Sequence, residues 1–165
     1  MNGDILELTL GAVFWGVLTL SAAWAGARFM PDAWYLKLNK PAWNPPDSIF
    51  GPVWTVLYLL MGAAAWLVWS DTSWEGFGGP LAPLTLYVAQ LVLNAMWSWI
   101  FFGRHRPDVA LLDMTLLWAV VAVTMVSFWR VMPLAGALFI PYLAWISFAA
   151  LLNFKIWRSN PQVAA

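Results

Sequence analysis

The sequence predicts an all-α, polytopic membrane protein: a five-transmembrane-helix bundle forming a single membrane domain over residues 1–165. Three observations carry this. Of the 165 residues, 62% are apolar and 10% charged, with a mean hydropathy of +0.72, a balance that water-soluble domains of this length do not reach. Five apolar runs are long enough to cross ~30 Å of hydrocarbon, which takes about 20 helical residues at roughly 1.5 Å each. These runs are continuous and do not alternate with period two, so a transmembrane barrel is excluded.

The first span is predicted over 5–28. Its leader carries Asp4 and Glu7 where a signal peptide carries basic residues, and its apolar run is too long for one, so cleavage is not expected. A Pro/Trp-rich loop follows over 29–50, and the stretch KPAWNPPDSIFGPVW at 40–54 holds four prolines and two tryptophans. Pro45 and Pro46 lack a backbone N–H and hold φ near about −65°, which keeps the chain extended there. The loop therefore reads as a stiff lid. Pro52 is expected in the first turn of the second span, 51–70, where a missing donor costs nothing. The remaining spans are predicted over 81–102, 109–129 and 133–157.

Basic residues fix the expected orientation, because cytoplasmic ends of spans are enriched in them. Arg28, Lys37, Lys40, Arg104, Arg106, Lys155 and Arg158 fall on one side and Arg130 alone on the other. The lid, the 103–108 loop and the carboxyl terminus are thus expected in the cytoplasm, and the amino terminus and the 71–80 connection outside it. With no cysteine in the chain, thiolate chemistry and disulfides are excluded. A net charge of zero gives a nucleic-acid partner no electrostatic support. No G-x-S-x-G, H-E-x-x-H or phosphate-binding glycine loop occurs. The sole His105 sits in a basic loop, where a solvated or phosphate-facing role is expected and no metal site is.

Polar groups at membrane depth are costly unless they face protein or water, so they point to function. Gln90, Asn94, Trp97 and Phe101 share one helical face of the third span, Tyr142, Trp145, Ala149 and Asn153 one of the fifth, and Trp54, Tyr58, Met61 and Ala65 one of the second. Apolar walls with a few convergent polar groups describe a small-molecule cavity; the competing reading is that the amides only bond neighbouring helices. Asp113, about a turn inside the fourth span, either joins that cavity or pairs with Arg104 or Arg106. Trp15, Trp24, Trp66, Trp69, Trp74, Trp129 and Trp157 read as interfacial anchors.

Four segments in order, WYLKLNKPAWNPP at 34–46, FGPVWTVLYLLMG at 50–62, QLVLNAMWSWIFFG at 90–103 and PYLAWISFAALLNF at 141–154, resemble the translocator protein family, also called tryptophan-rich sensory proteins or peripheral-type benzodiazepine receptors; the chain reads as a bacterial member. The resemblance implies a five-helix bundle, often a homodimer, binding protoporphyrin IX, haem, sterols such as cholesterol and benzodiazepine-type ligands. The pocket would lie among the spans, closed by the 29–50 loop. Motif by motif, the implied ligand contacts are Tyr35, Pro45, Phe50, Trp54, Tyr58, Asn94, Trp97, Trp145 and Ala149, with Trp54 and Asn94 as the pair that bonds a ligand carbonyl. Asp113, Trp34, Trp43 and Phe154 are further candidates.

A receptor or sensor of porphyrins is therefore the expected function, with a porphyrin as ligand and no cofactor required. Two alternatives stay open: light-dependent porphyrin degradation through Trp54 and Trp145, and transport of tetrapyrroles or sterols. The carboxyl-terminal segment proposed for cholesterol departs from the family pattern, since Phe154 stands where that pattern has tyrosine. Small residues at four-residue spacing suited to helix association occur in the first span, as Ala12 and Gly16, Ala22 and Gly26, and Ala23 and Ala27.

Overall fold

The computed structural model of the chain describes residues 2–71 and 81–161, so the 72–80 segment with Trp74 lies outside the described residues. Its elements are α1 (Asn2–Ala27), α2 (Ala33–Lys37), α3 (Asp47–Ser70), α4 (Leu81–Ser98), α5 (Pro107–Val131), α6 (Pro133–Ala137) and α7 (Ile140–Ser159). Five helical stretches are long and apolar enough to cross a membrane. The protein is thus an all-α bundle of the kind the sequence predicts. Helix α4 packs between α1 and α5, α3 lies against α1, and α7 lies against α5.

Three departures from the expected spans have a backbone reason. Helix α3 begins at Asp47, not at 51. Pro46, at φ −56° and ψ 141°, is the last extended residue, and Asp47 places a carboxylate at the positive end of the helix. Pro52 consequently sits inside the helix and not in its opening turn, where it cannot donate to the carbonyl four residues back. Phe50 belongs to this helix, not to the loop.

The third span ends in a π-helical turn over Trp99–Gly103, closed by a bond from Arg104 N to Trp99 O of 2.9 Å. The wider turn buries Ile100 and Phe101. A Cβ on Gly103 would stand 2.8 Å from the Phe29 ring, so only glycine lets the end of the first span pack here. The fifth span is interrupted: α6 stops at Ala137 and α7 starts at Ile140. Pro141 has no N–H for the Ala137 carbonyl, which breaks the ladder at that point. The α5–α6 corner is tight, since a Cβ on Gly136 would lie 2.6 Å from Trp129 Cβ and 2.8 Å from its backbone N.

The core centres on Tyr87, Phe128, Phe139 and Tyr142, all fully buried, with Tyr87 and Phe128 stacked at 6.0 Å. Trp15 is a correction to the anchor reading. It is 6% exposed and meets Tyr87 edge-on at 5.8 Å, so it is a core residue. Trp66 likewise turns inward enough to donate its indole N–H to Leu8 O at 3.0 Å. Trp24 and Trp129 are exposed as anchors should be. Of the small residues on α1, Gly26 packs against Ser98 of α4, whereas nothing stands near Gly16.

Candidate ligand-binding site

The lid is built from local capping and then clamped to the bundle at two points. Asp32 Oδ1 accepts from Trp34 N at 3.0 Å and Tyr35 N at 3.1 Å, which starts α2. Its other oxygen meets His105 Nε2 at 3.1 Å, and the His105 ring stacks on Trp34 at 4.3 Å. His105 therefore ties the lid to the 103–106 loop while its side chain stays 40% exposed, so the solvated position expected of it holds together with a structural role. These contacts hold the Asp32 carboxyl below the usual carboxylate range, the Tyr35 backbone N–H foremost.

The second clamp is Asn160, just past α7 and 1% exposed. Its Oδ1 accepts from Asn39 N at 3.0 Å, and its Nδ2 donates to Asn39 O at 3.1 Å and to Ile156 O at 2.7 Å. Between the clamps, Tyr35 is 4% exposed and its ring packs edge-on against Phe102 at 5.4 Å and Phe101 at 6.2 Å. Burial pushes the Tyr35 hydroxyl up from its ordinary range. Lys40 Nζ lies 4.4 Å over the Tyr35 ring and donates to Tyr35 O at 2.7 Å. Leu38 is buried beside it. Side chains of this size stabilise the closed lid by about 1.5–3 kcal/mol each when fully buried.

Beneath the lid, the predicted polar stripes of the second, third and fifth spans converge. Tyr58 O–H donates to Asn94 Oδ1 at 2.5 Å, Asn94 Nδ2 donates to Tyr142 Oη at 2.9 Å, and Tyr142 O–H donates to Gln90 Oε1 at 3.1 Å. One network thus joins α3, α4 and α7. The Trp54 ring lies over it, 5.5 Å from Tyr58 and 6.1 Å from Tyr142. Asn94 has both ends of its amide engaged, so a ligand carbonyl reaching it must displace a tyrosine.

Trp145 occupies a different place. It lines an apolar groove of about 540 Å³ between α3 and α7, with Val53, Leu57, Ala144 and Phe148 among its walls. Phe50 meets Trp145 at 5.8 Å and Trp43 of the lid meets Phe148 at 5.6 Å, which roofs the groove with aromatic rings. The indole N–H groups of Trp145 and Trp97 are buried with no hydrogen-bond partner among the described residues. Trp97 stacks on Phe101 at 5.2 Å, under the Tyr35 end of the lid.

The other candidates divide. Ala149 packs against the core beside Trp145, and Trp34 packs on Phe101 at 5.9 Å. Pro45 is half-buried in the lid, where its carbonyl accepts from Asn44 Nδ2 at 2.9 Å. Phe154 points away from the site, exposed and against Trp157 at 6.1 Å. Asp113 is buried with Oδ2 unpartnered. It does not take Arg106, whose guanidinium binds Asp108 at 2.7 Å, nor Arg104, which lies over the Trp99 ring at 5.7 Å. Sequence reasoning missed Asn160, Asp32 and Phe148; Asp32 alone carried a local signal, as a capping residue before WY.

Five helices long and apolar enough to cross a membrane, with a lid clamped over one end of the bundle, define a multi-pass membrane protein. The comparisons place it further. The chain belongs to the TspO/MBR family, whose profile matches residues 12–158. It is 43% identical to the tryptophan-rich protein TspO of Chlorobaculum tepidum, over 98% of this chain and 100% of that protein. It is 45% identical to the tryptophan-rich sensory protein of Cereibacter sphaeroides, over 84% of each chain. The human translocator protein is 43% identical over 82% of this chain and 81% of its own length. Family membership supports a membrane sensor or translocator role.

Proposed function

We propose that this protein is a membrane receptor that binds porphyrins, protoporphyrin IX or haem, and other flat apolar ligands beneath its lid. The observation that carries the reading is the cluster of Phe50, Trp145 and Phe148 rings beside the groove, with Trp54 against Tyr58 on the same helix as Phe50 and the buried, unpartnered indole N–H groups of Trp97 and Trp145. Flat macrocycles gain dispersion and offset-stacking energy on such rings. A buried donor without an acceptor is costly until a ligand supplies one. His105 and Asn160 hold the lid at the end of the bundle that carries the carboxyl terminus, and the basic residues gathered at that end support its being the cytoplasmic face. A homodimer is part of the proposal, with the open Ala12 and Gly16 face of α1 available to it. Sterols are a secondary ligand class.

Titration of protoporphyrin IX into detergent-purified protein tests the reading. Saturable quenching of tryptophan fluorescence at micromolar ligand is expected, weakened by Trp145→Phe. No saturable quenching in the folded wild type would refute it. Transport is a second reading, favoured by the groove between α3 and α7 that leaves the site open at the side. Ligand loss from loaded proteoliposomes faster than from protein-free vesicles would support it.

A further inference from the structure

We propose that the adjoining ends of α1 and the third span form a headgroup site for an anionic phospholipid, in which Arg28 and Arg104 take the phosphodiester. The site lies on the lipid-facing surface and does not depend on the ligand proposed above.

Each arginine is set by its own helix end. The first span ends at Ala27 and the third at Gly103, so Arg28 and Arg104 are the first residues beyond them, at the depth where a bilayer carries its headgroups. Arg28 follows Trp24 by four residues, one α-helical turn, and its guanidinium lies 4.7 Å over that ring. Arg104 follows Trp99 by five residues, a spacing that an α-helix would turn to another face. The π-helical turn over Trp99–Gly103 makes up the difference: Arg104 N bonds to Trp99 O, and the guanidinium comes to 5.7 Å over the Trp99 ring. Short π turns recur at functional sites. The two ends also touch. A Cβ on Gly26 would stand 3.3 Å from Ser98 Oγ, and one on Gly103 would stand 2.8 Å from the Phe29 ring. Arg28 is next in sequence to Phe29 and Arg104 to Gly103, so the two cations flank one contact.

The cations select an anion, and their surroundings select a lipid. Neither guanidinium has a carboxylate partner among the described residues, whereas Arg106 at the same end is held by Asp108 at 2.7 Å. A guanidinium stacked on an indole keeps its in-plane N–H donors free, and these match phosphate oxygens two at a time. Trp24 and Trp99 are 64% and 42% exposed, and Leu20 and Met96 carry the exposed apolar surface further down α1 and α4. Free phosphate would use the arginines alone, whereas a phospholipid also lays its chains along these side chains. A lipid with no ammonium to offset its phosphodiester gains most from the two cations.

The test uses the full chain in detergent, with native mass spectrometry reading the binding of phosphatidylglycerol and of phosphatidylcholine with the same acyl chains. Phosphatidylglycerol is expected to bind about ten-fold more tightly. Arg28→Gln and Arg104→Gln change exposed side chains, so the bundle stays folded, and each should weaken phosphatidylglycerol about five-fold with phosphatidylcholine unaltered. Arg106→Gln removes the same charge from the same end and should keep the preference. Trp99→Leu keeps apolar bulk but takes the ring from beneath Arg104, so it should weaken phosphatidylglycerol as well. Inorganic phosphate in excess should leave the bound lipid in place; displacement would overturn the lipid in favour of a free anion. Equal binding of the two lipids by the folded wild type, or a loss in Arg106→Gln equal to that in Arg104→Gln, would overturn the site. The same spectra read oligomeric state: a dimer lost in Arg28→Gln, with no lipid preference in the wild type, would give this face to a second copy and overturn the lipid.

Discussion

Asn160→Ala should loosen the lid without unfolding the bundle. The side chain makes two bonds to the Asn39 backbone, at 3.0 and 3.1 Å, and one to Ile156 O. A net hydrogen bond contributes about 0.5–1.5 kcal/mol, so the two lid bonds together stabilise the closed form by about 1–3 kcal/mol. At 1.4 kcal/mol per decade, the open population rises about 5- to 150-fold. Tyr35 and Leu38 stay buried in the variant, and at about 1.5–3 kcal/mol each they keep the lid mainly closed. Hydrogen exchange read by mass spectrometry over peptides covering 33–46 should accelerate by that factor. Peptides from α4, which Asn160 does not touch, serve as the internal control. Asn160→Asp keeps an acceptor for Asn39 N and loses the donor, so an intermediate effect is expected. Unchanged exchange over 33–46 in Asn160→Ala, or equal acceleration in α4, would refute the clamp.

Three further outcomes follow from the same geometry. Gly136→Ala forces a methyl into space 2.6 Å from Trp129 Cβ, so thermal unfolding should show a loss of about 1–3 kcal/mol, as overpacking does; an unaltered Tm would mean that the corner opens freely. Asp32 has a depressed carboxyl, so its stabilising contribution is present above the ordinary pKa near ~3.9 and is lost as pH falls through the lower folded value. Lid protection against exchange should therefore drop on strong acidification, and Asp32→Asn should abolish that drop. Tyr58→Phe removes the donor to Asn94 Oδ1 and frees that oxygen. It should destabilise by about 1 kcal/mol while tightening ligands that bring a donor of their own, and identical donor-ligand affinities in the two proteins would count against an accessible Asn94.

Helix existence and facing were legible because they are periodic. Gln90, Asn94 and Phe101 are spaced to share a face, and all three are buried. The extended course of the lid at Pro46 was legible for a local reason, since the residue takes the backbone its ring dictates. Its attachment was not. Asn39 and Asn160 are 121 residues apart, and neither belongs to a repeating pattern that would pair them. Asp113 shows the same limit from the other side: the nearby arginines suggested a pair, yet Arg106 is held two residues away by Asp108 on its own helix turn. Local competition decided that pairing, and charge counting does not see it.

The harder distinction is between polar groups that the fold consumes and those it leaves available. Asn94, Tyr58, Tyr142 and Gln90 satisfy one another, so their burial stabilises the bundle in its empty state. Trp97 and Trp145 share the same helical faces but keep unpartnered N–H groups. Spacing along one helix gives both sets the same score, because satisfaction depends on what the neighbouring helix presents at that height. A ligand that used Asn94 would have to break a tyrosine bond before gaining its own, whereas one that used Trp145 would gain a bond outright. For the ligand proposed above, the Trp145 N–H would therefore offer a bond that Asn94 can give only after losing one.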